Sequence, residues 1–216
     1  HLDLLHLSRN LYRNCFSDTR LPTLERSVLG FHRQDDVPSA LVPTMWYEFL
    51  RTRNAETIRL VAEHNYYDIL SMVVLAGMLA ENSHLRGVND CELSQIALNL
   101  GRVWFRRKAT EMAAQALESA DDTSLPAEEI DVKYSFLSKA YGRLKNYDRQ
   151  GKTLRQWCST RPETVDAWIA RAIHQERHEK NLEAALTSAE KAQTLVPSAA
   201  NTRRIERLNR RTKKSK

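Results

Sequence analysis

The stretch AETIRLVAEHNYYDILSMVVLAGML, residues 55–79, decides the fold class. Ile58, Val61, Ala62, Asn65, Ile69, Met72 and Val73 recur mainly at intervals of three and four, which puts them on one side of a long helix. Its apolar end, Ile69 to Ala80, is about twelve residues long and contains Ser71. A bilayer span needs roughly 20 apolar residues. This end therefore reads as a buried core helix, and no membrane partner is expected.

Towards the amino terminus, His1 to Leu7 reads as a short buried strand, with four leucines around Asp3. Ser8 to Cys15 looks helical. Leu21-Pro22-Thr23 opens a further helix, with Thr23 as N-cap, Leu24, Val28 and Leu29 as its apolar face, and Gly30 as its stop. Asp35-Asp36-Val37-Pro38 and Val42-Pro43 mark a loop, because a residue before proline is pushed away from the helical region. Thr44 would cap the next helix, which presents Trp46, Phe49 and Leu50. Residues 82–89 form a polar break. One domain over 1–82, a second over 90–200 and a basic tail over 201–216 are expected.

Beyond the break the pattern is helical and it repeats. Leu100, Gly101, Trp104, Ala113, Leu117 and Ala120 stand at offsets that Tyr134, Leu137, Ser138, Tyr141 and Leu154 partly reproduce, and Ile169, Ala185 and Ala192 partly reproduce again. Pro162 and Pro197 close the second and third units. A period near 34 residues, with small residues where helices approach, resembles tetratricopeptide repeats. The alternative is a generic array of helical hairpins. Gln150 and Trp157 stand where the repeat wants small residues. The overall expectation is a mainly α chain: the C-terminal part of an α/β domain, one strand plus helices, followed by an all-α tetratricopeptide-like array.

Charge narrows the function classes. The 216 residues carry 33 basic and 27 acidic side chains, a net charge of +6. Eight of the basic residues (Arg203, Arg204, Arg207, Arg210, Arg211, Lys213, Lys214 and Lys216) lie in the last sixteen, against Glu206 alone. The body is therefore near neutral, so the charge gives no support to a nucleic-acid partner beyond the tail. The tail is read either as a contact for nucleic-acid phosphates or as a solubilising disordered terminus. Cys15, Cys91 and Cys158 lie far apart with no CxxC pair, which speaks against a disulfide framework and suggests a cytoplasmic setting.

The chemistry is concentrated in Glu63-His64-Asn65-Tyr66-Tyr67-Asp68. His64 and Asp68 are four apart, so their tips can converge on one side of the helix. A carboxylate suits Mg²⁺ or Mn²⁺. An imidazole can take a proton from water near neutral pH. The ordered blocks HLDLLH, LPTLERSVLG, DDVP, MWYEFLRT and EHNYYDILSM resemble the YprB-like branch of the ribonuclease-H-like, DnaQ-like 3′–5′ exonucleases with four acidic residues. The resemblance covers about residues 1–80. It implies His64 as general base, Asp68 as metal ligand, a two-ion Mg²⁺ or Mn²⁺ site and single-stranded DNA or RNA as substrate. It also implies a D-x-E strand and a second aspartate ahead of residue 1. Neither is in this sequence, so the isolated chain is expected to be inactive. The competing reading is a non-enzymatic helical-repeat adaptor that binds a protein partner.

Other candidates read as structural. His174 and His178 are four apart but stand beside Glu176 and Glu179, as on a solvated face. Trp104-Phe105-Arg106-Arg107-Lys108 mixes aromatics with bases, yet Trp104 occupies a repeat core position.

Overall fold

A computed structural model describes residues 3–33, 37–81 and 90–214. The described residues are mainly helical and contain no strand. The chain divides into two compact units, residues 1–96 and 97–216. The polar break at 82–89 lies outside the described residues, as do Asp35 and Asp36.

The first unit corrects the expected strand. Asp3 is extended, and its carboxylate accepts the Leu5 N–H at 2.9 Å, capping helix α1, Leu4–Leu11. A lone strand would leave its N–H and C=O groups without partners, whereas a helix satisfies them internally. Leu4, Leu7, Ser8 and Leu11 fall at helical spacing, and Ser8 and Leu11 are buried. The helix stops at Leu11 rather than at Cys15. Helix α2, Leu21–Leu24, is capped at Arg20 rather than Thr23, and Pro22 occupies its first turn, where a missing N–H costs nothing. It runs on as a π-helical turn, Glu25–Leu29, closed by Gly30 at φ +64°, as the sequence predicts. Helix α3, Val42–Thr52, begins two residues before Thr44, with Pro43 in its first turn. It packs on α4, Ala55–Glu81, the helix expected from the 55–79 pattern.

Only a narrow stripe of the apolar end of α4 is covered. Ser71 and Leu75 are buried, but Ile69, Leu70, Met72, Val73 and Val74 are 42–64% exposed. The expectation of a buried core helix therefore fails here. The reason is that α4 beyond Asp68 is apolar on nearly every side, while α1, α2, α3 and the π-helical turn cover only part of the helix. Among the described residues no helix is long and apolar enough to cross a membrane.

The second unit takes in the end of α5 (Asp90–Arg106) and α6 (Thr110–Ser119), α7 (Ala127–Arg143), α8 (Tyr147–Thr160) and α9 (Val165–His174). A π-helical turn, Gln175–Glu179, follows, then α10 (Leu182–Leu195) and α11 (Ala199–Lys214). From α6 onward, successive helices pack against each other. Leu98, Phe105, Leu117, Tyr134, Leu137, Leu154 and Trp157 form the main core. Ala172, Ala185, Ala189 and Leu208 form a second. Similar turns recur: Lys108, Lys145 and Lys180 are left-handed, with φ between 55° and 64°. The next residue, Asn146 or Asn181, then caps α8 or α10 by accepting an N–H at 3.1 or 3.0 Å.

Gly101 is required by packing rather than by its backbone. A Cβ there would lie 2.5 Å from Leu117 Cγ and 3.2 Å from the Ala113 carbonyl oxygen. Gly101→Val is expected to lower the stability of the second unit by about 1–3 kcal/mol. Urea unfolding followed at 222 nm measures this, and an unchanged midpoint would contradict the packing.

The tail does not form a separate segment. Residues 199–214 are helical, held by the fully buried Leu208 and by Asn201, whose amide donates to the Ala189 carbonyl at 2.7 Å. Arg207 and Arg211 reach the carboxylate of Glu176. A disordered terminus is thereby excluded for these residues.

Candidate functional site

The helical period of α4 brings His64 and Asp68 together, with His64 Nε2 3.5 Å from Asp68 Oδ2. Two residues not singled out from the sequence complete the cluster. Arg33, just past the π-helical turn, donates from Nη2 to Asp68 Oδ1 at 2.7 Å. Its Nη1 lies 3.4 Å from His64 Nδ1. Its Nε donates to Glu25 Oε2 at 2.9 Å, and Nη2 also bonds Glu25 Oε1. Glu25 is 1% exposed and the Arg33 side chain 7%, whereas Asp68 retains 30%. Burial opposes the charge of Arg33. The bonds to Glu25 and Asp68 overcome it and hold the guanidinium above its ordinary range.

This geometry fixes the histidine. A guanidinium has donors only, so Nδ1 of His64 must be the acceptor. The neutral ring then carries its proton on Nε2, facing Asp68. As folded, both ring nitrogens are directed at partners within the cluster. Phe31 and Tyr67 pack beside it, ring centroids 5.5 Å apart.

The other sequence candidates serve the fold. Asp3 is the cap of α1. The Trp104–Lys108 segment uses its aromatics for packing: Phe105 is buried under the Arg143 guanidinium, 3.6 Å from the ring centroid. His174 and His178 do meet, ring centroids 5.2 Å apart, in a cavity of about 420 Å³ also lined by Tyr147, Lys152, Arg155 and Glu179. His178 stacks on Tyr147 at 3.7 Å, and His174 Nδ1 is 3.0 Å from Gln150 Oε1.

Burial pushes the His174 imidazole below its ordinary 6.5, with Glu179 opposing that shift. The unfolded chain therefore takes up this proton first as pH falls. His174 leaves stability intact above about 6.5 and subtracts from it progressively as pH drops below that value. Thermal unfolding of the second unit is expected at a lower temperature at pH 5 than at pH 7, with part of the difference removed in His174→Gln. Equal midpoints for the unaltered protein at the two pH values would contradict this.

An amino-terminal segment whose α4 carries the paired His64 and Asp68 is the class of site that residues 1–80 present, and they match the model of RNase_H_2, a family of the RNase H superfamily. The chain is similar to the uncharacterized protein YprB of Bacillus subtilis (strain 168), with 27% identity over 146 residues, 67% of this chain and 35% of that protein. The two findings together support a YprB-like, ribonuclease-H-like family. The chain spans about a third of the length of that relative.

Enzymes of this superfamily generally use divalent metals, so the fit of the residues present matters. Among the described residues, no group of three or more His, Cys, Asp or Glu is arranged to hold an ion. Asp68 Oδ1 accepts from Arg33, and both oxygens of Glu25 are also engaged by Arg33. By themselves these residues do not fit a two-ion site.

Proposed function

We infer that residues 1–80 are the C-terminal part of a nuclease unit acting on nucleic-acid phosphodiesters, a 3′–5′ exonuclease by family, with His64 as its proton acceptor once Nδ1 is released from Arg33. Asp68 is the carboxylate this segment would contribute to a Mg²⁺ or Mn²⁺ site, once released from Arg33 and joined by acidic residues from outside these 216. The observation that carries the reading is the convergence of His64 and Asp68 within the segment that matches the superfamily. The bare apolar end of α4 supports it, since a helix apolar on nearly all sides is a core helix of something larger than α1 to α4. Residues 90–200 are a tetratricopeptide-like array with a face for a protein partner. The left-handed lysines 108, 145 and 180, spaced 37 and 35 residues apart, support that repeat.

The isolated chain is expected to leave a 3′-labelled single-stranded oligonucleotide intact in Mg²⁺ or Mn²⁺, because Asp68 alone does not supply the set of ligands a two-ion site needs. Magnesium-dependent digestion that disappears in His64→Ala would show that the chain holds a complete site and overturn this part of the reading.

A further inference from the structure

The docked tail has a use beyond closing the second core. On α11 the buried residues Asn201 and Leu208 and the half-buried Arg204, Ile205 and Thr212 mark the inner side. Arg203, Arg207 and Arg210, at spacings of four and three, share one exposed stripe, with Arg211 beside it. At 1.5 Å per residue the steps along it are about 6 and 4.5 Å. Arg177, on the preceding π-helical turn, adds its charge to Arg204 and to Glu176. Glu176 accepts from Arg207 and Arg211 and is 7% exposed; Glu206 is the only acid on α11 itself. Arg203, Arg207, Arg210 and Arg211 thus share one exposed face, with Glu206 at its edge and the Glu176 carboxylate buried beneath Arg207 and Arg211.

Such crowding has a cost. Arg203 with Arg207 and Arg207 with Arg211 are like charges at i,i+4, which disfavours the helix, and only Glu206, three residues from Arg203 and four from Arg210, offsets it from within α11. Burial and the nearby Arg207 and Arg177 charges make the Arg204 guanidinium easier to deprotonate than usual. The helix nevertheless stays docked through Leu208, Asn201 and the Glu176 pairs. A polyanion laid along the stripe would relieve that repulsion. Its cations are arginines rather than lysines, and the planar guanidinium fork matches phosphate oxygens bidentately.

We propose that the arginine face of α11 is a binding surface for the phosphodiester backbone of nucleic acid, preformed by the docking of the helix. It gives the proposed nuclease unit a second hold on its substrate, and to that extent rests on that reading. Binding is measured without hydrolysis, so the two fail separately.

The test is fluorescence anisotropy of a 5′-labelled 20-nucleotide oligothymidylate with the full 216-residue chain in EDTA, across a salt series. Arg203→Glu with Arg210→Glu changes two side chains that, among the described residues, no carboxylate holds. The double variant is expected to bind at least tenfold more weakly. Its slope of log K against log salt should be shallower by about 1.4, at 0.7 per lost single-strand contact. His64→Ala is expected to bind as the unaltered chain does. Circular dichroism checks that the double variant is folded. If it is not, photocross-linking of the oligonucleotide to the unaltered chain decides, and cross-links must fall within residues 199–214. Unchanged affinity in a folded double variant, cross-links elsewhere, or displacement by polyglutamate as readily as by unlabelled oligonucleotide would each overturn the proposal. The last would assign the face to an acidic polypeptide.

Discussion

Arg33→Ala is expected to destabilise the first unit by about 3–5 kcal/mol, the usual cost of breaking a buried ion pair from one side. The Glu25 carboxylate, 1% exposed, would be left without the guanidinium that engages both its oxygens. Asp68 and His64 would lose the group that joins α4 to the π-helical turn. Because domains of this size are stable by only about 5–15 kcal/mol, the change removes a large share of the total. Hydrogen exchange of peptides covering residues 21–33 and 55–81 measures it. Exchange should accelerate in those peptides and stay unchanged in residues 127–195. Glu25→Gln combined with Arg33→Met removes both charges, and should recover much of the loss. If Arg33→Ala leaves exchange in residues 21–33 and 55–81 unaltered, the cluster does not hold the unit together.

Trp157→Ala is the corresponding experiment in the second unit, with an expected cost of about 3–5 kcal/mol. Trp157 is 3% exposed, stacks near-parallel on Tyr134 with centroids 6.4 Å apart, and donates its indole N–H to Asp131 Oδ1 at 2.7 Å. Truncation opens a cavity between α7 and α8 and removes one of the donors to Asp131, which Thr164 and Arg161 also serve. Trp157→Phe keeps most of the volume but not the N–H, so it separates the two contributions. Chemical denaturation gives both values. A loss under 1 kcal/mol for Trp157→Ala would contradict its place at the centre of the core.

The legible parts of this sequence were those set by local spacing. The three- and four-residue intervals of 55–79 specify α4, and the four-residue interval alone puts His64 beside Asp68. Gly30 ends its helix because a left-handed residue was needed there. Long-range pairing was not legible. Arg33 is 31 residues from His64 and 35 from Asp68, and no interval in the sequence announces that contact. A signal did exist in Glu25, a charge between Leu24 and Val28 on an otherwise apolar side, which buried without a partner would be costly. The tail misled through composition. Eight cations drew attention away from Asn201, Ile205, Leu208 and Thr212, whose helical spacing marks a docked amphipathic helix. The leucines of residues 1–7 misled in the opposite direction. They suit a central strand only where neighbouring strands take its hydrogen bonds, and the described residues supply none.

The central proposal is that His64 and Asp68 contribute to a nuclease site together with acidic residues not among these 216. A chimera tests it most directly: the Bacillus subtilis protein with its matched stretch replaced by the corresponding residues of this chain. Hydrolysis of a labelled single-stranded oligonucleotide in Mg²⁺ is the measurement. A folded chimera is predicted to shorten the strand from its 3′ end, with His64→Ala lowering the rate about 10²–10⁴-fold and Asp68→Asn abolishing the Mg²⁺-dependent cleavage. A folded chimera without cleavage, or one cleaving equally well with His64→Ala, would contradict the account.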